Sequence, residues 1–217
     1  MSNMNITMNQ TTPFGDKSAA NKVDDLRPKA GDALLVVDVQ NDFLPGGRLG
    51  VPHGDEVLPV INHYTHHFLT KGLPIFYSRD WHPADHCSFR AQGGPWPVHC
   101  VAGSAGAAFA TELYRAETAT IISKATQRDT EAYSAFSGTS LADRLRQAAC
   151  RRLFIGGLAT DYCVLNTVRD AIANGLVPVV LRDAVRAVNR HPGDGERAMA
   201  EMRALGVHFA GPEDLPP

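Results

Sequence analysis

From residue 31 onward the chain switches repeatedly between short apolar runs rich in β-branched residues and longer stretches whose apolar positions recur every three or four residues. The first pattern is that of strands and the second that of amphipathic helices. Strands are expected at 33–39, 74–78, 118–123, 152–156, 178–182 and 207–210, and helices at 57–70, 140–149, 163–174 and 195–205. Most of the strand runs are almost continuously apolar, as strands covered on both faces of a parallel sheet must be. Gly72, Gly175 and Gly206 stand where helices should stop, because glycine takes the left-handed cap conformation without steric cost. Ser140 precedes a helix start and is expected to cap it, with Asp143 favouring the positive end of the helix dipole.

Strand–helix alternation implies right-handed βαβ units. The expected fold is therefore α/β, a three-layer α-β-α arrangement around a mostly parallel, six-stranded, Rossmann-like sheet. One domain at 31–212 is expected, preceded by a polar, mobile leader at 1–30 and followed by a short tail at 213–217. Ligands in such folds lie beyond the carboxyl ends of the strands, near the point where strand order reverses. The residues that follow each strand are thus the place to look for chemistry.

Composition narrows the class. The chain has 217 residues, 44% apolar and 20% charged, with a formal net charge of −2, so no basic surface argues for nucleic acid or an anionic membrane. No apolar run approaches the roughly 20 residues that span a bilayer, and the N-terminal segment lacks the apolar middle of a secretory signal. The four cysteines (Cys87, Cys100, Cys150 and Cys163) form no CxxC pair, which suits free thiols in a reducing cytoplasm. A small-molecule enzyme is the expectation, and a homo-oligomer is compatible with it.

The first expected strand runs into VVDVQNDF, with Asp38, Asp42 and Phe43; the second into SRDWHP, with Asp80 and His82. A loop with Cys87, Ser88, Trp96 and His99 follows, the third strand ends at Lys124, and the fourth leads through IGGLATDYCV to Cys163 at a helix start. A thiol in the first turn of a helix meets unpaired N–H groups and the positive dipole end, which favours thiolate. Lys124 would lower its pKa further and Asp38 could accept its proton. Any one of these residues alone is more simply a buried thiol or a structural Asp–Lys pair. Three of them at neighbouring strand ends point to a cysteine nucleophile that attacks an amide.

Asp80 and His82 are two apart and share a side of an extended backbone. With His99 they make a one-carboxylate, two-histidine set that suits Zn²⁺ first, or Fe²⁺ or Mn²⁺. Ser88 could touch a metal-bound water, and His86 is the weaker candidate for a direct ligand. His63 and His67 share a helix face, but no Glu follows His63 to make HExxH, so they read as surface or half-buried positions. No GxGxxG is present, which leaves a dinucleotide site unsupported.

Together, VVDVQNDFLPGG, DWHPADHCSF, WPVHC, SKAT followed by YSAF, and GLATDYCV followed by TVRDA resemble nicotinamidases (pyrazinamidases) of the isochorismatase-like cysteine hydrolase superfamily, in the family's order over residues 32–211. The resemblance implies a triad of Asp38, Lys124 and Cys163, a metal held by Asp80, His82 and His99, and an oxyanion hole from the amides of Ala159 and Cys163. It also implies a cis peptide before Ala159, aromatic pocket walls at Phe43, Trp96 and Tyr133, and nicotinamide hydrolysis through a thioester. The chain departs from several family members in its short RAQGGP segment between the two loop motifs, which bears on the pocket rim. The alternatives are an amidase for maleamate-type or carbamoyl substrates, an isochorismatase-type vinyl-ether hydrolase, and a catalytically silent binding module.

Overall fold

The computed structural model describes residues 25–214; residues 1–24 of the leader expected at 1–30, and residues 215–217 of the tail, lie outside the described residues. Six strands form one sheet: β1 (Asp32–Val37), β2 (Ile75–Asp80), β3 (Thr120–Lys124), β4 (Arg152–Leu158), β5 (Val177–Arg186) and β6 (His208–Ala210). Their spatial order is β3-β2-β1-β4-β5-β6 and every pairing is parallel. The chain builds outward from β1 on one side, then returns to β4 on the other. The order therefore reverses between β1 and β4, where a ligand site is expected.

Successive β1 side chains point to opposite faces, and the core follows that period. Leu34 and Val36 pack with Tyr77, Phe154 and Val179 against Leu58, Ile61, Tyr64 and Phe68 of α1 (Val57–Thr70). Ala33, Leu35 and Val37 join Leu153, Ile155 and Val180 on the other face. That second face is covered by α2 (Leu141–Gln147), α3 (Leu165–Ala173) and α4 (Asp194–Ala204) through Leu141, Leu145, Val168, Ala171, Ala198 and Met202. The three-layer expectation holds. Among the described residues one helix covers the first face, and Cys100, Ala107, Ala110, Leu113 and Ala116 of the long segment before β3 complete its cover.

The differences from the sequence expectation have local causes. β1 stops at Val37 because Asp38 takes a left-handed conformation (φ 49), which turns its carboxylate out of the strand repeat. β5 runs past Leu181 because the polar pair Arg182–Asp183 is satisfied: the Tyr64 hydroxyl donates to both Asp183 oxygens at 2.9 Å. Ser140 makes no side-chain cap to α2; the Thr139 hydroxyl accepts the Leu141 N–H instead, at 3.2 Å, and the Ser140 Oγ accepts from Arg144 Nε. The helix stops at Gly72, Gly175 and Gly206 all have positive φ.

Residues before 31 also contact the sheet. Arg152 pairs with Asp32, and its remaining donors reach the carbonyls of Asp25 at 2.7 Å and Arg27 at 2.9 Å. Both members of the pair are buried, so a single guanidinium ties residues 25–30 to the start of the sheet. At the other end Arg182 holds Glu213 and Asp214.

Gly157 shows how closely β4 approaches β1. It has φ 121, and a Cβ there would stand 2.0 Å from the Val37 carbonyl oxygen. Gly157→Ala must therefore strain the backbone and push the strands apart at the site-bearing end. It should lose at least about 3 kcal/mol of unfolding free energy, read by urea denaturation.

Candidate active site

Four parallel strands in the order β3-β2-β1-β4 deliver Lys124, Asp80, Asp38 and the Cys163 turn to one edge of the sheet. Asp38, Asp80, Lys124 and Cys163 are all buried. Lys124 is the centre. Its Nζ donates to Asp80 Oδ1 and to the Ala132 carbonyl at 3.1 Å, lies 3.0 Å from Asp38 Oδ2, and lies 3.5 Å from Cys163 Sγ. The Ser78 hydroxyl donates to Asp38 Oδ1 at 2.7 Å. Apart from its ion pair with Lys124, Asp38 Oδ2 has no hydrogen-bond partner among the described residues, which leaves it a lone pair that can take a proton. Asp38 and Ala125, the residue after Lys124, both have positive φ, as does Cys100 after His99. Non-glycine residues held in this region tend to gather at functional sites.

Cys163 is not in the first turn of a regular helix. It sits in a wide turn, Thr160–Val164, in which the Val164 N–H reaches back five residues to the Ala159 carbonyl at 3.1 Å. Such turns are rare and frequent at functional sites. The Leu158–Ala159 peptide is cis, as the resemblance implied. The Ala159 N–H has no protein acceptor among the described residues.

The protonation picture corrects the thiolate expectation. Burial pushes the Cys163 thiol well above its usual value; Lys124 opposes this, but the Asp38 and Asp80 carboxylates reinforce it. Burial likewise raises Asp38 against the pull of Lys124. Burial alone would lower Lys124, yet the two carboxylates hold it above its ordinary value. Burial pushes Asp80 up, but the adjacent Lys124 ammonium is the strongest opposing influence, and the Asp80 carboxyl is held below the usual carboxylate range. The resting site thus keeps a charged lysine and a protonated thiol beside an aspartate with raised proton affinity.

The metal candidates converge as well. One ligand atom each from Asp80, His82 and His99 lie within 4.8 Å of one another, and all three residues are buried. His99 is brought in by a parallel bridge: the His82 N–H donates to the Cys100 carbonyl at 3.0 Å and the Ala102 N–H to the His82 carbonyl at 2.8 Å. Carbonyls only accept, so His99 Nδ1 donates to Pro97 at 2.8 Å and His82 Nδ1 to Ala125 at 3.3 Å. Both Nε2 lone pairs then face Asp80 Oδ2, at 3.5 Å from His82 and 3.9 Å from His99. That tautomer is the one a metal ligand needs. His82 Nε2 is buried with no hydrogen-bond partner among the described residues, and burial keeps His99 below its usual pKa and neutral. These residues fit a divalent metal.

A second trio, Asp38, Asp80 and Cys163, also has ligand atoms within 4.8 Å, but the Lys124 ammonium already serves as its cation. His86 has other partners for both ring nitrogens. Its Nε2 donates to the Thr130 carbonyl at 3.1 Å and its Nδ1 faces the Ser88 hydroxyl at 2.8 Å. His63 is exposed and His67 half-buried, as read from the sequence.

Cys163 and the candidate metal ligands line one pocket, together with Phe43, Ser88, Trp96, Tyr133, Ala159, Tyr162 and Val188. Trp96 Nε1 donates to the Tyr133 hydroxyl at 2.9 Å, and Tyr162 meets both rings, 4.9 Å from Trp96 and 5.6 Å from Tyr133. The short RAQGGP segment closes on itself: the Arg90 N–H donates to Trp96 at 2.7 Å and the Trp96 N–H to Ser88 at 3.0 Å. Trp96 is thereby pinned rather than left on an open rim.

Sequence reasoning missed the residues that hold these groups. Gln40, fully buried, accepts the Asp80 N–H at 2.7 Å and donates to the Asp80 carbonyl at 2.8 Å and the Ala107 carbonyl at 2.9 Å. The Asp42 carboxylate accepts the Cys100 N–H at 2.7 Å and so fixes the residue next to His99. Nothing in the local pattern around Gln40 points to its partner, which lies forty residues away.

The isochorismatase domain family matches residues 32–214, and the chain belongs to this family. It is 40% identical over 196 residues to the nicotinamidase of Escherichia coli (strain K12), covering 81% of this chain and 92% of that protein. Among solved structures, the pyrazinamidase of Pyrococcus horikoshii in complex with zinc is similar at a TM-score of 0.80 and 49% identity, covering 83% of this chain and 99% of the other. A structure from L. infantum in complex with nicotinate is similar at a TM-score of 0.78 and 36% identity, covering 86% and 95%.

The charge cluster makes its own prediction. Lys124→Met would leave two buried carboxylates facing each other without a cation, and should cost about 3–5 kcal/mol of stability. Adding Asp38→Asn to that variant should recover part of the loss, measured by denaturant unfolding of both proteins.

Proposed function

We propose that the protein is a metal-containing cysteine amidohydrolase that converts nicotinamide, and also pyrazinamide, to the acid and ammonia. The observation that carries this is the meeting of a thiol, a proton acceptor and a metal-ligand set in one aromatic pocket. The relatives support it: the E. coli protein is a nicotinamidase, the P. horikoshii structure a pyrazinamidase with zinc, and the L. infantum structure holds nicotinate.

In this reading Asp38, Lys124 and Cys163 are the triad. Asp38 takes the thiol proton as Cys163 Sγ attacks the carboxamide carbon; both groups have raised proton affinity, which matches donor to acceptor. The N–H groups of Ala159 and Cys163 hold the tetrahedral oxyanion; a single such donor is worth about 3–4 kcal/mol. Asp38 returns the proton to the departing nitrogen, ammonia leaves and a thioester remains. Water, deprotonated by Asp38, attacks that thioester, and the acid is released with the thiol restored. Lys124 keeps the charged forms of Asp38 and Cys163 in balance throughout.

Asp80, His82 and His99 would hold the metal, with Ser88 reaching it through a water. When bound, the metal offers a Lewis-acid position to the ring nitrogen of the substrate and so orients its carboxamide. Zinc is the first assignment, from the donor set and the zinc-containing relative. Phe43, Trp96 and Tyr133 stack on the ring and exclude water. The reaction needs only a small neutral amide, which accords with the net charge of −2 and with a cytoplasmic protein without nucleic-acid or membrane partners. No helix of the described residues is long and apolar enough to cross a membrane.

Cys163→Ala should abolish ammonia release from nicotinamide with the melting temperature little changed; persistent turnover would remove Cys163 as nucleophile. His82→Ala should lower bound metal, by elemental analysis, and raise KM for nicotinamide, while iodoacetamide still alkylates Cys163. Unchanged metal content would refute the ligand set.

A further inference from the structure

We propose that Asp161 is a positioning residue for the substrate pocket: its carboxylate hangs the pocket wall after β5 from the turn that carries Cys163. Asp161 lies in the wide turn Thr160–Val164, two residues before the thiol. Its Oδ1 accepts the Val188 N–H and its Oδ2 the Asn189 N–H, both at 2.9 Å. Asn189 is left-handed (φ 52), and two consecutive N–H groups around such a residue form an anion-binding concavity. Here the anion is a side chain of the protein itself. Asn189 extends the tie, its Oδ1 accepting the Gly195 N–H at 2.8 Å at the start of α4.

The segment held in this way reaches the pocket. Val188 lines it beside Ala159 and Cys163, and the Arg190 guanidinium stands 5.5 Å from the centre of the Trp96 ring. Asp161 itself does not line the pocket. It touches neither the thiol's partners nor the metal set, so its contribution falls on the wall that meets the substrate ring. Both carboxylate oxygens are used, each by a separate N–H, so the latch needs a carboxylate rather than an amide. An asparagine has the same shape but one acceptor oxygen, and its NH₂ would face a second N–H.

This inference deepens the nicotinamide amidohydrolase reading and rests on it. The test compares the full-length, metal-loaded protein with its Asp161→Asn variant. The expected result is a KM for nicotinamide raised at least threefold with kcat within twofold, and faster hydrogen exchange over residues 187–190. A KM change below threefold, or a loss carried by kcat with KM unaltered, overturns the proposal. Hydrogen exchange of the unsubstituted protein keeps the test open if the variant does not fold. The latch requires the Val188 and Asn189 amides to exchange slowly before any ligand is added, and fast exchange of both overturns it. If the unsubstituted protein releases no ammonia from nicotinamide, the functional reading fails while the exchange data still judge the latch.

Discussion

The carboxylate of Asp80 is shared between two centres, and much else in the molecule follows from that sharing. One oxygen takes the Lys124 ammonium, while the other faces the lone pairs of His82 and His99. Removing charges from water is costly, so a buried carboxylate persists only where its lone pairs are filled. Two carboxylates and one ammonium leave the buried cluster one negative charge in excess. A proton on Asp38 relieves that excess at one end, and a divalent cation at Asp80 Oδ2 would relieve it at the other. Thiol chemistry and metal binding are thus electrostatically linked through one side chain, which Gln40 grips by both its N–H and its carbonyl.

The parallel sheet is what makes this economical. Because all six strands run the same way, the residues after β1, β2, β3 and β4 arrive at one edge without a long excursion of the chain. Close approach of β4 to β1 at Gly157 narrows that edge, and the wide turn after Ala159 sets the thiol against the lysine. The cover on this end is a loop pinned by Asp42, by the His82 bridge and by the Trp96–Tyr133 hydrogen bond, so the aromatic walls are fixed rather than adaptable. A fixed wall suits a small planar ring, whose recognition rests on stacking and a few polar anchors.

The corrected protonation state of Cys163 changes how the triad is understood. Helix-start geometry and a nearby lysine favour thiolate in isolation, yet complete burial among carboxylates outweighs them. In the proposed mechanism the lysine lets Asp38 and the thiol trade one proton within a buried cluster. That sharing suits acyl transfer, in which the same proton must reach the leaving nitrogen and then be recovered from water.

By itself, the sequence determined the layer order, the parallel sheet and the residues at the strand ends. A buried strand is written as a continuous apolar run, and a polar residue where the run stops stands out against it. Asp38, Asp80, His82, Lys124 and Cys163 were legible for that reason. His99 was read from the residues as the possible third member of the Asp80–His82 set, whereas the pocket role of Trp96 and the Ala159 amide rested on resemblance to a family, because loop positions have no period to reveal them. Only the tertiary structure decided what these residues are bonded to. Gln40 to Asp80, Asp42 to Cys100 and Asp161 to Val188 join positions far apart in the chain, and local pattern cannot encode the partner of a polar group. The structure also decided the state of the thiol. A pKa in a buried cluster is set by the sum of desolvation and every neighbouring charge, and that sum exists only once the strands have brought the charges together.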